Sequence, residues 1–155
     1  MKVKSILSVL ALCLFIPVVG FAQNPQLGTW KLNEAKSKLA AGLTKNHTVI
    51  YEAAGDQTKI TVDGTDASGA ATHNEWTGKF DGKDYAVTGD PTSDTRAYRR
   101  SGARTLLMTI KKDGKVTITG RIVVSPNGKM RTITTTGTDP NGKKFKQTGV
   151  YDKQM

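Results

Sequence analysis

Arg96 and Tyr98 stand two positions apart and are the pair in this chain best suited to hold an anion. In an extended strand alternate side chains point the same way, so guanidinium and phenol would project together. Facing inward, they would anchor a carboxylate or phosphate among apolar walls. Facing outward beside Arg99 and Arg100, they would be solvated charges, the usual state of long basic side chains. Two further alternating faces carry aromatics: Asn74, Trp76, Gly78 and Phe80, then Phe145, Gln147, Gly149 and Tyr151. Trp76, Phe80, Phe145 and Tyr151 are therefore candidates to line a ligand cavity, with ordinary packing between strands as the competing use. The glycines in these faces remove volume that a filled core would want.

Catalytic chemistry finds less support. His73 and Glu75 share a face opposite Trp76, but a histidine–carboxylate pair does acid–base work only beside a nucleophile or an activated water. No Gly-x-Ser-x-Gly elbow, phosphate loop or dinucleotide fingerprint occurs in the chain. Cys13 is the single cysteine, and His47 and His73 are the two imidazoles. Most metalloenzyme ligand sets are excluded on that count. The chain is expected to be no enzyme, with no catalytic residue, no metal site and no cofactor.

The elements that must position these groups are strands. Ile118, Ile122 and Val124 alternate with Thr117, Thr119 and Arg121, and Val116 falls in the same apolar series. Leu106, Met108 and Ile110 alternate with Thr105, Leu107 and Thr109 in the run before. Period-two patterning of this kind predicts strands with one buried face. Asp81-Gly82, Asp113-Gly114, Asn127-Gly128 and Asn141-Gly142 are tight-turn dipeptides between such runs. About ten strands are predicted, near 28–32, 47–53, 57–63, 71–80, 83–88, 94–100, 104–111, 115–124, 130–138 and 144–152. Asn33 to Ala41 carries helix formers after an Asn cap, which predicts a short helical segment near 33–41. Ile60-Thr61, Gly64-Thr65-Asp66 and Gly69 recur as Ile133-Thr134, Gly137-Thr138-Asp139 and Gly142, an offset of 73 residues from Ile60 to Ile133. Ten antiparallel strands leave two exposed edges unless the sheet closes, and a closed up-and-down barrel of that size encloses a cavity.

Residues 1–22 read as a secretory signal: Lys2 and Lys4 lead an apolar run from Ile6 to Val19, and Gly20-Phe21-Ala22 offers the cleavage site. Export to a periplasm or exterior is expected, leaving residues 23–155 as a single barrel domain. The 23 Lys and Arg against 13 Asp and Glu give a net charge of +10. Lysines at turns (Lys83, Lys111, Lys112, Lys115, Lys143, Lys144) keep exposed strands from associating. Gathered on one side, they would attract anionic envelope material such as lipid head groups or acidic polysaccharide. Nucleic-acid binding would want aromatics interleaved with the basic residues, which the lysine-rich turns lack, so nucleic acid is not an expected partner.

Leu27-Gly28-Thr29-Trp30-Lys31-Leu32 resembles the Gly-x-Trp opening strand of the lipocalin and fatty-acid-binding-protein superfamily. In that superfamily the tryptophan plugs one barrel end, which implies a structural role for Gly28 and Trp30. The runs WKLNEAKSK, YEAAGDQTKITVDGTDASG and DGKDYAVTGDP look like a family of small exported bacterial lipocalin-like proteins of unassigned activity. That likeness covers most of residues 23–155 and brings no catalytic residue with it. The carboxylate clamp of fatty-acid-binding proteins, an Arg-x-Tyr in the last strand, has no counterpart in Phe145 to Tyr151, which contains no arginine.

Together these readings predict an all-β, antiparallel up-and-down barrel of lipocalin type, expected as a monomer. Its expected partner is a small apolar or amphipathic ligand held inside. The alternative is surface binding of anionic envelope components through a basic face.

Overall fold

The computed structural model describes residues 24–139 and 141–155, so residues 1–22, expected above to be a secretory signal, lie outside the described residues. Ten strands follow one another: β1 (Gly28–Leu32), β2 (Lys45–Ala54), β3 (Gln57–Thr65), β4 (Ala71–Gly78), β5 (Tyr85–Thr88), β6 (Thr95–Gly102), β7 (Thr105–Lys112), β8 (Lys115–Val124), β9 (Met130–Thr138) and β10 (Lys144–Lys153). Each pairs antiparallel with its sequence neighbours, and β10 returns to pair with β1, so the sheet is a closed up-and-down barrel. The closing ladder joins Trp30 to Lys153, Lys31 to Asp152 and Leu32 to Tyr151. Closure leaves no strand edge to water, which is the physical reason for rolling up so long a meander.

The turns between strands follow the dipeptides. Asp113 at φ 50° and Gly114 at φ 72° place two consecutive left-handed residues between β7 and β8. That geometry matches the twist of a two-residue hairpin.

One end of the barrel is shut. Gln26 lies fully buried across it and its side-chain amide donates to the Arg104 carbonyl at 3.4 Å. Trp30 fills the space beneath, wholly buried, and its indole N–H donates to the Gln26 carbonyl at 2.9 Å. Leu106, Ile122, Val124, Tyr51 and Tyr151 belong to the same buried cluster. The opposite end, the mouth, is ringed by the β3–β4, β7–β8 and β9–β10 hairpins.

Two expectations fail locally, each for a definable reason. The register shifts between Ile110 and Lys111, so that Ile110 faces Ile118 while Lys111 faces Val116. A one-residue bulge inverts the parity beyond it. Val116 therefore leaves the inward series and stands 56% exposed. The helical segment shrinks to a single 3-10 turn, Glu34–Lys36, capped by the Asn33 side chain accepting from the Lys36 N–H at 3.2 Å. Beyond it the Lys38 N–H and carbonyl each bond to Thr148 of β10 at 2.8 Å. A ready ladder on the last strand outcompetes the weak helix propensity of Lys38 to Ala41.

The 73-residue echo maps β2, β3 and β4 onto β8, β9 and β10 in order. Ile60 and Ile133 take equivalent inward places on β3 and β9. Gly64 and Gly137 serve one purpose: a Cβ on Gly64 would collide with the Lys45 carbonyl, and one on Gly137 with the Thr117 carbonyl. Both glycines let the preceding strand approach closely at the mouth.

Candidate functional site

Inward parity can be read from the ladders. One row runs Tyr98, Met108, Gly120, Thr135, Gln147 across β6 to β10. The next, nearer the mouth, runs Arg96, Ile110, Ile118, Gly137, Phe145. Both members of the Arg96–Tyr98 pair thus point into the barrel and are buried. This corrects the solvated-charge reading for Arg96, while Arg99 and Arg100 do remain exposed. What makes an inward arginine tolerable is Asp90, which sequence reasoning missed. Its Oδ2 accepts from Arg96 Nη2 at 2.6 Å, and only 8% and 15% of the two side chains reach solvent. Burial pushes the Asp90 carboxyl up, but hydrogen bonds from Ser93 and Thr92 and the Arg96 charge outweigh it and hold the group below 3.8.

Trp76, Phe80 and Tyr98 lie against one another. Trp76 meets Tyr98 edge-on at 4.8 Å and stacks on Phe80 at 6.3 Å, and Phe80 meets Tyr98 at 6.0 Å. Tyr85 joins them at 5.7 Å from Trp76, and the Trp76 indole donates to the Arg96 carbonyl at 2.9 Å. Phe145 and Tyr151 lie elsewhere. Phe145 is half-buried at the mouth, and Tyr151 is buried at the shut end, its hydroxyl donating to the Asn46 carbonyl at 3.0 Å.

The glycines beside these aromatics do not open space for a ligand. A Cβ on Gly78 would strike the rings of Trp76 and Tyr85 at 2.6 Å, and one on Gly149 would meet the Tyr151 ring at 3.0 Å. The missing side chains are replaced by aromatic rings laid over the backbone.

Arg131 is the feature that sequence reading overlooked. It is wholly buried, and its guanidinium lies 5.1 Å from the Trp30 ring, 4.7 Å from Tyr51 and 5.3 Å from Tyr151. None of its three nitrogens has a hydrogen-bond partner. A desolvated cation over an aromatic face gains about 2 kcal/mol, which offsets part of the several kcal/mol that burying a charge costs. The signal was present: Arg131 sits two residues before inward Ile133. Thr135 Oγ1, Asn74 Oδ1 and Arg96 Nε are further buried polar atoms on inward positions without partners.

Burial pushes the Tyr51 phenol far above its ordinary value of 10.0, with Arg131 opposing. Tyr151 shifts the same way for the same reason. A raised folded-state value means full stabilisation below about pH 10 and its loss as pH rises further. Denaturant midpoints should therefore fall above about pH 10, and Tyr51→Phe should flatten part of that fall. An alkaline slope identical in the two proteins would show that the phenol is not held neutral by the fold.

On the mouth side the interior changes character. Leu32, Met108, Ile110, Ile118 and Phe145 share the inward parity yet are only half-buried, as is Ile133 one row deeper, between Ile122 and Gly149. A filled core would cover such apolar groups fully. His73 and Glu75 are outside: His73 Nδ1 lies 2.6 Å from Asp63, and Glu75 pairs with Lys59 at 2.7 Å. Among the described residues no group of three or more His, Cys, Asp or Glu is placed to hold a metal ion.

The closed ten-strand antiparallel barrel is the up-and-down architecture expected above. No family model matches the chain, and no curated protein matches it. A solved structure described as EF1p2_mFAP2b bound to DFHBI is similar at 11% identity and a TM-score of 0.47, covering 84% of this chain and 94% of that one.

Proposed function

We propose that this chain is a non-enzymatic, exported binding protein that holds a small apolar or amphipathic molecule in the mouth-side half of its barrel. The observation that carries the reading is the set of inward apolar side chains left half-buried on β1 and β7 to β10. Ligand sites have this composition, mostly apolar walls with a few placed polar groups. Met108, Ile110, Ile118, Ile133 and Phe145 would cover the apolar body. Tyr98, Gln147 and Thr135 in the neighbouring inward row would meet a polar end, with Trp76 and Phe80 backing Tyr98 from behind. Arg96, already paired with Asp90, would contribute charge at a distance.

The test is displacement of a fluorescent fatty-acid analogue by a panel of fatty acids, alcohols and sterols. Saturable displacement at one site per chain by at least one class supports the reading. Failure of every class to displace, together with no saturable uptake of the probe itself, removes it.

A further inference from the structure

The outer surface of the barrel is electrostatically divided, and the division points to a second partner that does not depend on what the interior holds. Among the described residues, the ion pairs engage Lys36, Lys45, Lys59, Lys79, Arg96, Lys111 and Lys112. None engages a cation of β8, β9 or β10. From Gly114 to Tyr151 the sole acidic residue is Asp139, against Lys115, Arg121, Lys129, Lys143, Lys144 and Lys146 on the exterior. Asp139 is itself occupied, its Oδ1 accepting from the backbone N–H groups of Asn141 and Lys143 at 2.9 and 2.8 Å.

These charges stand over a hydroxyl-rich surface. Outward rows run Thr109, Thr119, Thr136, Lys146 and Leu107, Arg121, Thr134, Thr148 across the four strands. Near the mouth a groove of about 330 Å³ lies among Val116, Thr117, Thr136, Thr138, Lys144 and Phe145. The bulge that turned Val116 outward supplies the apolar part of its wall.

We propose that the outer face of β8 to β10 binds an acidic polysaccharide. Lys144, Lys146, Lys115 and Arg121 pair with its carboxylates, and the threonine hydroxyls meet sugar hydroxyls along the groove. Charge complementarity selects a polyanion, and the hydroxyl rows select a sugar. A membrane surface fits less well, because anchoring there wants large apolar groups. Among the described residues the exposed large hydrophobics are Val116 and Met155. Nucleic acid would want exposed aromatics between the cations, and the outward positions of β8 to β10 carry none.

The experiment measures anisotropy of fluorescein-labelled alginate, a polyuronate, with the full chain, alongside neutral dextran and phosphatidylglycerol vesicles. Two triple variants are compared: Arg121→Gln, Lys144→Gln, Lys146→Gln on this face, and Lys31→Gln, Lys83→Gln, Arg99→Gln elsewhere. Each removes three exposed cations outside any ion pair, and unchanged thermal unfolding verifies both folds. Alginate should bind, dextran should not, and the affinity should fall steeply as salt shortens the screening length from about 30 Å to about 8 Å. The first variant should weaken binding by roughly tenfold and the second by less than about twofold. Equal loss in both variants, no alginate binding, or vesicle binding that exceeds alginate binding would each overturn the assignment.

Discussion

Replacing Trp30 with alanine is expected to lower the unfolding free energy by about 3–5 kcal/mol, the usual cost of deleting a large buried aromatic. Three losses combine at this position. The indole is wholly buried, its N–H satisfies the Gln26 carbonyl at 2.9 Å, and its face covers the Arg131 guanidinium. Without it, the cation keeps the faces of Tyr51 and Tyr151 but loses one wall of its enclosure. Urea unfolding followed by circular dichroism checks the size. A change below about 1 kcal/mol would mean that the shut end is not held by this side chain.

Asp90→Ala should be nearly as damaging, at about 3 kcal/mol, because it strands a buried arginine without its counter-charge. The same substitution removes the acceptor for the Thr92 N–H at 2.9 Å and for the Ser93 hydroxyl at 2.7 Å, so the β5–β6 turn loosens too. Asp90→Asn separates the contributions, keeping hydrogen-bond acceptance while discarding charge, and should fall between. The pH dependence has a definite sign. Asp90 titrates below 3.8 in the folded protein, so its stabilisation is present above that value and is lost as pH falls further. Both variants should therefore show a shallower acid-side decline than the parent. An unchanged acid limb would contradict a charge-based role for Asp90.

Much of the barrel was legible because hairpin turns and alternating strands leave local marks. Asp113-Gly114 announced its turn, and the alternation of Leu106, Met108 and Ile110 announced its inward face. Gly28 and Trp30 announced the shut end. What escaped depends on strand register and on where individual side chains turn. The Val116 bulge depends on the register chosen with β7, which a single strand does not reveal. Arg96 was read as solvated because its counter-ion comes from Asp90, in the turn before its own strand. Arg131 was passed over because its company, Trp30, Tyr51 and Tyr151, is assembled from three strands far apart in sequence. Gly78 and Gly149 suggested empty volume where rings from Trp76, Tyr85 and Tyr151 lie over the backbone. Arg131 yielded to contacts between strands distant in sequence, whereas Val116, Arg96, Gly78 and Gly149 turned on register and side-chain direction among near neighbours.

The division of the interior now organises the account. The shut half packs the rings of Trp30, Tyr51 and Tyr151 around the Arg131 guanidinium. Above it Met108, Ile110 and Ile118 are only half-buried, as is Ile133 at the boundary between the halves. A protein that merely needed stability would gain about 25 cal/mol for every further Å² of that apolar surface it covered. That uncovered apolar surface is the observation on which the proposed interior site rests.

The most direct measurement is a titration of an amphipathic, environment-sensitive dye such as anilinonaphthalene sulfonate into the parent and into Ile133→Phe. The larger ring occupies space beside Thr135 and Gly149 at a cost of about 1–3 kcal/mol in stability, which unfolding of the same sample reports. Saturable uptake of one dye per parent chain is expected, with at least tenfold weaker uptake by a variant that remains folded. Equal uptake by both proteins, or none by the parent, would contradict an interior site.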